Sequence, residues 1–183
     1  MGGSQRIEET RRMARLANLE RDQLKPEDQK FYDAIADSRG GVRGPYGVLL
    51  HSPDLAARVA HTGSYVRYNL DLPEALRETI ILATAREIKS QYEFAAHARL
   101  ARQGGLSEAT IQAIAHGTAP QGLSGDEEKL VRYVQELLRH HKISDATFNA
   151  VRDRFGMQKT LEITGLIGHY LLVGQINSVR SAR

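Results

Sequence analysis

The stretch LRETIILATAREIKSQYEFAAHARLARQGGLS, Leu76 to Ser107, reads as two helices joined by a very short turn. Pro73-Glu74 opens the first, and Ala75 to Ile88 is apolar on most faces, with Ile80, Ile81 and Leu82 consecutive. A helix apolar nearly all round belongs at the centre of its bundle. The second helix begins near Ser90 and ends at the Gly104-Gly105 pair, as a helix closing in a left-handed cap does. The tight turn near Lys89-Ser90 folds it back on the first. Ser90, Glu93 and His97 are three and four residues apart and share one face of the second helix, while Glu78 sits on the first, twelve residues before Ser90.

Outward from this pair the chain continues as helices. Ser52-Pro53-Asp54 opens one along Leu55, Val59 and Val66, and Leu106-Ser107 opens one through Ile111 and Ile114. Ser124-Gly-Asp-Glu127 is a capping box before Leu130 to Leu138, Ser144 leads into Phe148 to Phe155, and the last helix runs from about Gln158 to Val179. Pro26-Glu-Asp introduces a short helix that meets a Gly-rich break, SRGGVRGPYG, expected as an ordered loop. No segment alternates as a strand does. The expected fold is all-α: a single helical-bundle domain of about seven or eight helices over residues 23–183. Residues 1–22 form a charged N-terminal extension, a marginal helix or partner-dependent arm with a thin stripe of Ile7, Met13, Leu16 and Leu19.

The composition narrows function by exclusion. With 183 residues, 41% of them hydrophobic, the chain can bury the core of one globular domain. It has no cysteine, which excludes disulfides, thiolate metal sites and thiol redox chemistry. The net charge of +3 is spread along the chain in alternating signs, so nucleic-acid binding is not expected, although the mild basicity suits an anionic small molecule. No signal peptide is apparent at the start, and the longest apolar run, Ile163 to Val179, is broken by Gly165, Gly168, His169, Gln175 and Asn177. No membrane partner is expected, and the expected location is cytoplasmic.

Two readings of Glu78, Glu93 and His97 stand side by side. Two carboxylates and an imidazole at one helix crossing, out of water, shift one another's proton affinities and can exchange a proton with a substrate. Equally, Ser90-x-x-Glu93 satisfies the pattern of a capping box, Glu93 and His97 form an ordinary helical pair, and Glu78 has Arg77 and Arg86 nearby as salt-bridge partners. A metal site built on Glu93, His97 and another histidine is a third possibility, weakened by the absence of any H-x-x-x-H pattern.

Residues 76–107 resemble the signature of the carboxymuconolactone decarboxylase family, which includes the alkyl hydroperoxidase D-like proteins. In the redox branch a Glu precedes C-x-x-C-x-x-x-H by twelve residues, and the decarboxylase-like branch has Y-E-W-x-x-H. The Glu falls on Glu78, the cysteine positions on Ser90 and Glu93, and the histidine on His97; Phe94 stands where Trp is usual. GPYGVLLHSPDLAARV (44–59) and ITGLIGHYLLVGQIN (163–177) are similar to flanking segments of the family. The resemblance implies an alkyl hydroperoxidase D-like helical fold and a cofactor-independent lyase acting on a small carboxylated lactone or keto acid. Glu78, Glu93 and His97 would be the catalytic residues, and no metal or organic cofactor would take part. Ser90 and Tyr92, at motif positions, and Arg86, by its place beside Glu78, are the expected substrate-binding residues, with Arg43 a further cation. His51, His61 and His169 lie in the family's core segments. The partners it implies are a small anionic substrate and further copies of the chain, in a trimer or hexamer. Thiol peroxidase activity is excluded, and a non-catalytic or metal-binding oligomeric member is the alternative.

Overall fold

A computed structural model describes residues 14–117, 123 and 125–180. The described residues are mostly helical, with nine α-helices and no β-strand among them. They form two compact units, one running up to Ser64 and taking in the chain from Gln175, the other spanning Tyr65–Gly174.

In the first unit, residues 14–20 form no helix. Leu19 donates its N–H to the Gly47 carbonyl at 2.9 Å, and His51 Nε2 lies 2.9 Å from the Ala17 carbonyl. Of the thin stripe expected here, Ile7 and Met13 lie outside the described residues. Two short 3-10 turns, Arg21–Gln23 and Pro26–Asp28, lead into α1, Gln29–Arg39, which ends in a left-handed Gly40. The expected loop that follows holds a five-residue helix, α2 (Pro45–Leu49), started by Pro at its first position and fully buried. Helix α3, Pro53–Ser64, buries Ala56, Val59 and Ala60 but leaves Leu55 46% exposed, so the apolar stripe expected along Leu55, Val59 and Val66 is corrected at its first member.

The second unit opens on a π-helical turn, Tyr65–Asn69, where Val66 is buried. Helices α4 (Glu74–Glu87), α5 (Gln91–Gln103), α6 (Glu108–His116), α7 (Gly125–His140), α8 (Asp145–Phe155) and α9 (Met157–Arg180, through Gly174 in this unit) follow. As its sequence requires, α4 is central: it packs against α5, α6 and α7, and Ile80, Ile81 and Leu82 are wholly buried. Each such side chain contributes roughly 1.5–3 kcal/mol by leaving water. Leu130 and Val134 of α7, Val151 of α8, and Ile163, Leu166 and Ile167 of α9 complete the core. Ser107 and Ser144 cap α6 and α8 by accepting the N–H of Thr110 at 3.0 Å and Thr147 at 3.3 Å. Ser124, of the third expected cap, lies outside the described residues.

Candidate acid–base site

The geometry of the site starts at the α4–α5 turn. Ser90 donates its N–H to the Ala85 carbonyl at 2.9 Å and Lys89 to the Arg86 carbonyl at 3.2 Å, the paired bonds of a Schellman closure. Lys89 occupies the left-handed position, φ 57°, that glycine normally fills. The same closure ends α5, where Gly105 (φ 87°) takes the left-handed place and Leu106 donates to Ala101 at 2.9 Å. With the Ser90 N–H engaged by Ala85, the backbone donor that a capping box would offer Glu93 is already paired, and the Ser90 hydroxyl makes no capping hydrogen bond. Helix α9 passes close by: a Cβ on Gly174 would overlap Ile88 Cδ1 and lie 3.6 Å from Ser90 Cβ.

Three residues on, Glu93 faces inward. The reversal of direction brings His97 against Glu78, and Glu78 Oε2 accepts a hydrogen bond from His97 Nδ1 at 2.7 Å. An ionised carboxylate only accepts, so this bond places a hydrogen on Nδ1 and turns Nε2 to the other side. There Glu93 Oε2 stands 3.8 Å from Nε2, beyond hydrogen-bonding distance but in reach of a shared third group. Glu78, Glu93 and His97 are 2%, 5% and 3% exposed. Charges so thoroughly removed from water persist only with partners. Tyr170 of α9 packs its ring perpendicular to His97, centroids 4.9 Å apart, and meets His169 in the same manner at 5.5 Å.

A fourth charge joins from the π turn. Arg67 is half-buried, its guanidinium 5.4 Å from the centroid of the Tyr68 ring. Burial alone would lower its pKa, but Tyr170, Tyr68 and Glu78 outweigh this and hold it above the usual arginine value, with a hydrogen bond to Tyr170 contributing. Arg67 is therefore a cation that feels the charge of Glu78.

Of the residues expected from sequence, Glu78, Glu93 and His97 come together, and His169 joins them through Tyr170. Ser90 and Arg86 instead line a groove of about 460 Å³ with Lys89, Phe94 and Ala115, and Glu78, Glu93 and His97 are not among its lining residues. Arg86 Nε donates to the Ala115 carbonyl at 2.7 Å, at the C-terminal end of α6, where a cation is favoured. Tyr92 is 46% exposed on α5. His51 and His61 belong to the first unit, and Arg43 there contacts the Gly40 carbonyl at 3.5 Å. Arg67 and Tyr170 are the members that spacing does not reveal; the one local hint was a lone Arg between tyrosines in YVRYN. Among the described residues no group of three or more His, Asp, Glu or Cys is arranged to hold a metal ion, and no helix is long and apolar enough to cross a membrane.

No curated protein matches the chain. The family model described as the Carboxymuconolactone decarboxylase family matches residues 53–136, a span that includes Arg67, Glu78, Glu93 and His97. The match spans less than half of the 183 residues and, with the helical architecture, fits the resemblance read from residues 76–107.

Proposed function

We propose that this protein is a cofactor-independent lyase that decarboxylates a small carboxylated lactone or keto acid by Glu/His acid–base chemistry. The observation that supports it most is the buried 2.7 Å bond between Glu78 and His97 Nδ1, which presents Nε2 toward Glu93. When the bond to the departing carboxylate breaks, its electron pair delocalises onto the adjacent carbonyl. With a second proton taken up on Nε2, His97 donates Nε2–H to that developing oxyanion, and a preorganised donor in a dry site contributes several kcal/mol to such a step. Glu93, on the open side of the imidazole, enters the step carrying a proton drawn from water, gives it to carbon and is left as the carboxylate. Glu78 keeps the ring oriented and takes up no proton in the step, in the manner of the buried carboxylate of a Ser-His-Asp triad.

The burial of the cluster also favours a second reading, a non-catalytic polar network that fixes α4 against α5. A panel of carboxylated lactones and β-keto acids, followed by carbon dioxide release, separates the two. Turnover of one class is expected. Failure on the whole panel, with the protein folded, favours the network.

A further inference from the structure

The groove at the α4–α5 turn has a chemistry of its own, since none of Glu78, Glu93 and His97 lines it. At about 460 Å³ it is the size of a small-molecule pocket. Arg86, Lys89 and Ser90 line it at the turn, Phe94 and Ala95 line it one helical turn on, and no carboxylate lines it at all. Ser90 is 8% exposed, yet its hydroxyl neither caps α5 nor hydrogen-bonds another described residue. A hydroxyl so nearly buried has given up water without a replacement, and a ligand lying in the groove supplies one.

We infer that this groove is a ligand site separate from the acid–base cluster and that it takes a small aromatic carboxylate. Positive potential reaches its polar end from the Lys89 ammonium, the Arg86 guanidinium and the first turn of α5. Lys89 is exposed and pairs with no acid among the described residues. It also keeps a side chain at φ 57°, where glycine would be unstrained, so the turn alone gives no reason for a lysine there. Arg86 is tethered through Nε to the Ala115 carbonyl at 2.7 Å, which fixes the guanidinium while no described residue uses its terminal N–H groups. Those groups and the Ser90 hydroxyl donate, as a carboxylate requires. Phe94 follows Ser90 by four residues, so it stands on the same face of α5, about 6 Å further along the axis. A carboxylate held at Ser90, Lys89 and Arg86 therefore lays a ring bonded to it against Phe94 and Ala95. An inorganic anion would use only the polar end of the groove and a neutral ring only the apolar end, whereas an aromatic acid uses both.

The site does not depend on the lyase reading and is tested by binding alone. Calorimetric titration of the full chain with benzoate, with benzamide, which keeps the ring but not the charge, and with inorganic phosphate separates the two ends of the groove. The wild type is expected to bind benzoate about tenfold or more tightly than benzamide, the scale of a charge-assisted hydrogen bond. Phosphate should bind more weakly than benzoate. Lys89→Gly removes a cation without straining the turn, and Ser90→Ala removes the hydroxyl; each should weaken benzoate by about three- to tenfold. His97→Ala, which alters no lining residue, should bind benzoate as the wild type does. Equal affinity for benzoate and benzamide, phosphate binding as tight as benzoate, or unchanged benzoate affinity in either Lys89→Gly or Ser90→Ala overturns the site. If Ser90→Ala fails to fold by circular dichroism, Lys89→Gly decides. Loss of benzoate binding in folded His97→Ala would put the acid in the acid–base cluster and overturn the separate groove.

Discussion

Glu78 and Glu93 differ by which nitrogen of His97 they face. Glu78 is bonded to Nδ1 at 2.7 Å and nearly sealed from solvent, so its part is to hold the imidazole in one tautomer and orientation. Glu78→Gln keeps the shape and removes the charge. It is expected to reduce turnover by about a hundredfold or more, as loss of a tautomer-fixing carboxylate does, while KM changes little. Steady-state kinetics checks this, and an unchanged kcat would return Glu78 to a structural role. The spacing of Glu78, Glu93 and His97 was legible in the sequence because two helices and a tight turn suffice to bring them together. What the pattern left open was Ser90-x-x-Glu93, which matches a capping box. The bond from the Ser90 N–H to Ala85 decides against it, and that bond belongs to the end of the preceding helix. Arg67 and Tyr170 were not legible at all, since they come from a π turn and from α9, far away in the chain, and no periodicity links them to the motif.

At the scale of the element, the turn between α4 and α5 brings Glu78 together with Glu93 and His97. Its closing bonds are those of a Schellman motif, yet the left-handed position is Lys89 where glycine is usual. A non-glycine residue there is strained by roughly 1–2 kcal/mol. Lys89→Gly is expected to raise stability by about 0.5–1 kcal/mol, part of the relief being lost to the freer unfolded chain, and Tm by about 2–4 °C. A thermal melt checks this, and a lowered Tm would mean that the Lys89 side chain makes contacts worth more than the strain. The same motif after α5 was readable from Gly104-Gly105, and the helix starts at Ser107 and Ser144 were readable from their caps. The α4–α5 closure carries no glycine, so its place was legible only from the shortness of the link. Helix α2 was hidden for the opposite reason: five residues inside a Gly-rich break give too few turns for a periodic pattern.

For the whole molecule, helical content followed from apolar periodicity and the central position of α4 from its being apolar on most faces, and the match over residues 53–136 agrees with the family resemblance. Charge sets the response to acid. Arg102, hydrogen-bonded to Glu108 with help from Gln112, holds that carboxyl at about 2 against an ordinary 4.5. Arg154 lowers Asp126, Arg21 lowers Asp33 and Lys159 lowers Asp71, each chiefly through a side-chain hydrogen bond. A carboxyl whose pKa is lower folded than unfolded stabilises the fold above its unfolded pKa, and this is lost as pH falls through the folded one. For Glu108 the window lies between about 4.5 and about 2. The urea midpoint is therefore expected to hold from about pH 7 to about pH 5 and to decline below, less steeply where salt screens these exposed pairs. A flat midpoint down to about pH 3 would contradict it.

His97 is the side chain that both Glu78 and Glu93 face. Carbon dioxide release by wild type and His97→Ala, measured on the best substrate of the lactone and keto-acid panel with both proteins shown to be folded, tests the acid–base site most directly. The expected result is loss of turnover by at least about two orders of magnitude in the variant. Near-wild-type release by folded His97→Ala would contradict it.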